Sequence, residues 1–132
     1  LDHYKQVNDT HGHAAGDAVI REVSARIAAR LREQDIFGRY GGEEFSILLI
    51  EVGARRAELV ANRLCRAIAE EPVGTDAGPL KFTISIGIAE LASTDTSLAQ
   101  VLARTDEALY EAKTGGRNRA RTAISNVTKI KA

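Results

Sequence analysis

Two strand-forming runs, Asp35–Tyr40 (DIFGRY) and Phe45–Ile50 (FSILLI), lie either side of Gly41-Gly42. No other feature of the chain limits its folding as tightly. Two-residue hairpin turns of the primed types need positive φ, which glycine adopts without steric cost. Gly-Gly between two such runs therefore predicts an antiparallel hairpin. The second run is apolar on both faces, which predicts a place in the sheet interior.

The remaining elements follow from periodicity. Leu1–Asn8 is short and mixed, and Asp9–Gly16 (DTHGHAAG) reads as a loop. From Asp17 to about Leu31, the residues Val19, Ile20, Val23, Ile27 and Leu31 recur at helical spacing. Arg21, Glu22 and Arg26 occupy the solvent face, with Glu22 and Arg26 set as an i,i+4 pair. Ala54–Glu70 is a second amphipathic helix, with Ala57, Val60, Ala61, Leu64 and Ile68 inward and Cys65 beside them. Glu71–Leu80 holds both prolines and reads as a loop. Lys81–Glu90 alternates cleanly, with Phe82, Ile84, Ile86 and Ile88 on one face, and predicts a strand. Ser97–Thr114 is a third helix, with Leu98, Val101, Leu102, Thr105, Leu109 and Ala112 on one side and Gly115-Gly116 as its stop. Arg119–Ile124 is a candidate edge strand. The order suggests an α/β sandwich in which helices cover a mixed sheet.

At 132 residues the chain is one domain. Its 18 basic and 18 acidic residues cancel, which argues against a whole-domain basic surface for DNA, RNA or anionic lipid and leaves room only for a local patch. One cysteine, Cys65, excludes an intrachain disulfide and a multi-cysteine zinc site. No apolar run reaches the roughly 18–20 residues of a membrane span. The chain contains no methionine and opens on Leu1, so it reads as cut from something larger.

Chemistry concentrates at Gly41-Gly42-Glu43-Glu44-Phe45. A hairpin tip ending in two carboxylates offers hard oxygen ligands of the kind Mg²⁺ takes, although a solvated acidic turn explains the pentapeptide alone equally well. The context decides. Upstream runs Asp2-x-Tyr4-Lys5-x-x-Asn8-Asp9-x-x-Gly12-His13-x-x-Gly16-Asp17. Downstream stand Ser85-Ile86-Gly87 and Asp106-x-Ala108-x-Tyr110-x-Ala112-Lys113-x-x-Gly116-Arg117-Asn118. In this order and spacing the pieces resemble the GGDEF family of diguanylate cyclases, from Leu1 to about Arg121.

The resemblance implies a nucleotidyl-cyclase-like α+β fold with a ferredoxin-type βαββαβ core. It has a mixed or antiparallel sheet flanked by helices, and an added GGEEF hairpin. The domain would cover residues 1–122, with 123–132 a C-terminal tail and the first strand reduced to Leu1–Tyr4. The implied reaction joins two GTP into cyclic di-GMP with release of two pyrophosphates. Mg²⁺ or Mn²⁺ would be held by Glu43 and the backbone carbonyl of Leu1, and an acidic residue is expected directly before Leu1. Glu44 is implied in metal binding or in activating the attacking hydroxyl. Asn8 and Asp17 match the guanine contacts; as a plain feature, Asp17 is an acid favoured near a helix N-terminus. Lys113 and Arg117, expected together on the last helical turn, match the phosphate contacts, with Lys5 nearby. Arg32 and Asp35 match an RxxD inhibitory site for cyclic di-GMP, and Arg63 matches its secondary contact. His3, His11 and His13 do not form a metal set; His13 belongs to the family's Gly-His turn. The implied partners are a second copy of the domain and an upstream sensor or receiver domain. The expected location is the cytoplasm, with a membrane tether on the parent compatible. The alternative is an inactive GGDEF domain that binds cyclic di-GMP or GTP without turnover.

Overall fold

The computed structural model describes residues 1–123. Its core is organised by the alternating run at 81–88. Phe82, Ile84 and Ile88 are buried, as the period-two pattern requires. Ile88 packs with Ala61 and Ala120, while Phe82 and Ile84 meet two helices. One is α2 (His13–Ala28), which turns Val19, Val23 and Ile27 inward. The other is α3 (Ala54–Glu70), which contributes Leu64, Cys65 and Ile68. The opposite face of the run carries Thr83, Ser85 and Gly87 and lies under α4 (Leu98–Thr114). A Cβ on Gly87 would stand 2.2 Å from the Thr105 carbonyl oxygen and 2.5 Å from the Leu109 nitrogen, so α4 approaches as closely as glycine allows.

Among the described residues, six short strands form three two-stranded ladders. β1 (Ile36–Gly41) and β2 (Glu44–Leu48) make the expected antiparallel hairpin. β3 (Val73–Thr75) and β4 (Gly78–Leu80) make a second, where a loop was expected. Gly78 at φ +95 closes its turn, and Pro79 falls on this short outlying ladder, where the missing N–H is tolerated. β5 (Ile86–Ile88) and β6 (Ala120–Thr122) pair in parallel through the α4 crossover. The ladder covers less of Lys81–Glu90 than alternation predicts, because a strand also needs a bonded neighbour. Between β2 and residues 81–85 runs the N-terminal segment, where the Leu1 nitrogen donates to Glu43 O and Asp2 N–H to Thr83 O, each at 3.1 Å.

Several expectations are corrected. Leu1–Tyr4 is not a strand; α1 (Tyr4–His11) begins there, and Asp9–Gly16 is helical apart from a break at Gly12, φ +89. β2 is not interior: Leu48 and its cross-strand partner Ile36 are more than half exposed, while Phe37, Phe45 and Ile47 face inward. The Phe37 and Phe45 rings lie 5.5 Å apart on that inner face. Leu98 is exposed at the first turn of α4. Arg26 is buried rather than solvated. Its guanidinium bonds Glu22 and also donates to the Glu71 and Pro72 carbonyls, so it fastens the end of α3 to α2. Ile124, placed in the edge strand, and most of the expected tail lie outside the described residues.

Candidate active site at the hairpin tip and the α4 terminus

The hairpin turns one residue later than Gly41-Gly42 suggests. Gly41 pairs with Glu44, leaving Gly42 and Glu43 as the central residues. Gly42, at φ +52, takes the first central position, where type II′ turns place glycine. The register shifts between Arg39 and Gly41, a bulge at Tyr40. Arg39 Nε donates to Gly42 O at 2.7 Å and holds the turn. Glu43 therefore lies in the turn and Glu44 begins β2, so strict strand alternation does not separate the two. Both are exposed.

Leu1 sits against this tip through its bond to Glu43 O. Asp2, Lys113, Glu43 and Glu44 all bring their charges to bear on the Leu1 nitrogen. Four elements thus converge at one corner: the chain start, the hairpin tip, the central segment and the end of α4. Among the described residues, no group of three or more histidine, cysteine or carboxylate side chains gathers as a metal cage.

Lys113 occupies the last turn of α4. Arg117 does not share that turn, contrary to the helical spacing expected. The helix ends at Thr114, Gly116 takes φ +120, and Arg117 and Asn118 both adopt left-handed φ, +62 and +46. Arg117 N–H donates to Ala112 O at 2.9 Å, a Schellman-type closure that folds the loop back over the helix end. Arg119 Nε donates to Arg117 O at 2.8 Å. Lys5 is exposed on α1.

Asn8, also on α1, packs on α2 at Gly16. A Cβ on Gly16 would stand 1.9 Å from Asn8 Oδ1 and 3.0 Å from the Tyr4 hydroxyl. Asn8 Oδ1 is buried and has no hydrogen-bond partner among the described residues. Asp17 follows Gly16 and is exposed, in the second turn of α2 rather than at its start.

Arg32 and Asp35 form a closed pair. The Arg32 guanidinium donates to both Asp35 oxygens at 3.2 and 2.8 Å and to Ile50 O at 2.7 Å, and Arg32 N–H donates to Asp35 at 2.9 Å. The bonds from Arg32 hold the Asp35 carboxyl below its ordinary pKa, and the bond to Asp35 raises that of Arg32. Arg63 is exposed on α3.

The model of the GGDEF family, described as diguanylate cyclase, GGDEF domain, matches residues 1–119. The chain belongs to the GGDEF family. Diguanylate cyclase A of Treponema denticola is 40% identical over 129 residues, 98% of this chain and 35% of that protein. The chain thus spans about a third of that curated relative. Among solved GGDEF domains, that of DgcB from Caulobacter crescentus in complex with c-di-GMP superposes with a TM-score of 0.88 at 35% identity, covering 94% of this chain and 74% of that one. The active GGEEF domain of a diguanylate cyclase from Vibrio cholerae gives 0.85 at 30% identity, covering 95% and 79%. The described residues therefore share the GGDEF fold.

Sequence reasoning missed Asp2, Gly16 and Arg26 as working parts of this GGDEF domain. Asp2 and Gly16 were visible only as letters of the family pattern. Arg26 looked like half of a surface ion pair, because helical spacing cannot reveal that a loop from another helix passes over it.

Proposed function

We propose that this domain is a diguanylate cyclase that joins two GTP, each held by one copy of the domain, across a two-fold axis. The observation that carries the proposal is the convergence of Leu1, Glu43, Glu44 and Lys113 at one corner. The Glu43 carboxylate and the Leu1 carbonyl are hard oxygen donors. They suit Mg²⁺ or Mn²⁺, which is commonly held by one or two carboxylates with substrate phosphates completing the shell. Bound there, the ion supplies neutralising charge to the triphosphate.

The protein's own groups do the rest. Asn8 and Asp17 take the guanine edge, the Asn8 amide offering both a donor and an acceptor and the Asp17 carboxylate accepting from base N–H groups. Lys113 and Arg117, with Lys5, offset phosphate charge as pyrophosphate leaves. Glu44 serves the attacking 3′-hydroxyl and accepts its proton as the oxygen bonds the α-phosphorus of the other GTP. Proximity across the two-fold pair supplies most of the rate. Arg32, Asp35 and Arg63 form a product site where cyclic di-GMP inhibits. There the incoming ligand exchanges Arg32's internal bonds for bidentate contacts of its own. The cytoplasm, where GTP is available, is the proposed location, with an upstream sensor or receiver domain driving the pairing.

Calorimetric titration with GTP, ATP and cyclic di-GMP tests the assignment. GTP and cyclic di-GMP should bind at separate sites, Arg32→Ala removing the second alone. Uptake of ATP with neither guanine ligand rejects the roles of Asn8 and Asp17.

A further inference from the structure

Asp2 is 3% exposed, and the reaction above does not use it. Its carboxylate serves three elements. Oδ1 accepts from the Ser85 hydroxyl at 2.7 Å, and Oδ2 accepts from the Thr83 hydroxyl at 2.7 Å and from Asn118 N–H at 3.1 Å. Burial works against its charged form. The bonds from Ser85, Thr83 and Asn118 outweigh that cost, and its pKa falls below the usual value. Its own N–H donates to Thr83 O, and one residue earlier Leu1 reaches Glu43 O. Two consecutive residues therefore join the hairpin tip, the central segment and the loop after α4.

That loop needs such an anchor. Arg117 and Asn118 are non-glycine residues at positive φ, a state that persists only where the surroundings over-determine it. The bonds from Arg117 N–H to Ala112 O and from Arg119 to Arg117 O are internal to α4 and its loop. They set the loop's shape but not its place. The chain is pinned again where Ile86 N–H meets Arg119 O at 3.0 Å. Between Thr114 and Arg119, Asn118 N–H donates to Asp2 Oδ2 and so ties the loop to another element.

We propose that Asp2 is a positioning residue for the triphosphate: it fixes the loop bearing Arg117 against the corner formed by Leu1 and Glu43. The proposal rests on the assignment of Glu43, Lys113 and Arg117 to phosphate and metal. Asp2 touches no nucleotide in this scheme, since both its oxygens are engaged. The guanine residues Asn8 and Asp17 lie on α1 and α2, outside this network, so loss of the anchor separates phosphate binding from base binding.

The experiment compares the wild-type chain with Asp2→Ala and Asp2→Asn, titrating guanosine and Mg²⁺-GTP and following amide exchange at Asn118. Alanine should weaken GTP binding by about tenfold or more, the size of one lost hydrogen bond to a charged phosphate, and leave guanosine within about twofold. Asn118 exchange should accelerate. Asparagine should rescue all three readouts. Its oxygen can serve Asn118 and Thr83 while its amide donates to the Ser85 hydroxyl, which can turn to accept. If Asp2→Ala does not fold, Thr83→Val with Ser85→Ala removes the orienting hydroxyls and should give the same split. Guanosine and GTP affinities falling together, or GTP affinity unchanged while Asn118 exchange rises, would overturn the positioning role alone. A wild-type chain that binds neither guanosine nor GTP rejects the nucleotide assignment and this role with it.

Discussion

Replacing Gly16 with alanine should separate stability from guanine binding. Gly16 lies inside α2, where alanine is favoured over glycine by about 1 kcal/mol. Against that gain, the new Cβ would stand 1.9 Å from Asn8 Oδ1 and 2.9 Å from its Cγ. A real Cβ contact needs at least 3.0 Å, so the Asn8 oxygen must retreat by 3.0 − 1.9 = 1.1 Å or more. The atoms struck are the ends of two side chains, Asn8 and Tyr4, not backbone. The strain therefore belongs at the low end of the roughly 1–3 kcal/mol typical of overpacking. Gain and cost nearly cancel, and the melting temperature should stay within about 4 °C of wild type. The Asn8 amide, however, leaves its place. Losing one placed hydrogen bond to the base should weaken guanosine binding about 10- to 100-fold, equivalent to about 1.4–2.7 kcal/mol. Calorimetry with guanosine and scanning fluorimetry on the same samples provide both numbers. Wild-type guanosine affinity in Gly16→Ala would refute the placement of the base against Asn8.

Gly87→Ala should behave in the opposite way. Its Cβ would meet the backbone of Thr105 and Leu109, which cannot step aside, so denaturant titration should show a loss of about 3 kcal/mol or more. Asp95 is held at a pKa of about 2 by the Arg104 guanidinium and the Ala92 N–H. A depressed folded-state value means that this stabilisation is full above the ordinary carboxylate pKa and fades as pH falls toward 2. The stability difference between wild type and Asp95→Asn should therefore shrink from pH 5 to pH 2, and an unchanged difference would contradict the ion pair's role. Arg32→Ala should relieve inhibition by added cyclic di-GMP at unchanged initial rate; inhibition that persists rejects the RxxD site.

The parts of the fold that depend on local pattern were legible in the sequence. Ala54–Glu70 forms a helix over the expected residues, and Phe82, Ile84 and Ile88 bury the face that alternation assigns. The misses arise where one residue's environment is set by a distant segment. Lys81–Glu90 has strand character throughout, yet the ladder forms only where β6 supplies a partner. Asp9–Gly16 looked like a loop because of its glycines. One of them, Gly12, does break the helix, but Gly16 is there to let α1 lie against α2. At the site, the family pattern named Glu43, Asn8 and Lys113. It could not show that the turn is centred on Gly42 and Glu43, nor that Arg117 leaves the helix through two left-handed residues. Asp2 is the extreme case: its three hydroxyl and amide partners are 81 to 116 residues away in the chain, beyond the reach of any periodicity.

Product analysis tests the central claim most directly. The full-length protein incubated with GTP and Mg²⁺ should release cyclic di-GMP and pyrophosphate in a 1:2 ratio. The specific rate should rise with protein concentration until the two-fold pair is saturated, and Glu43→Gln should abolish turnover while leaving the melting temperature unchanged. Saturable GTP binding with no cyclic dinucleotide, or Glu43→Gln turning over at the wild-type rate, would contradict the cyclase assignment.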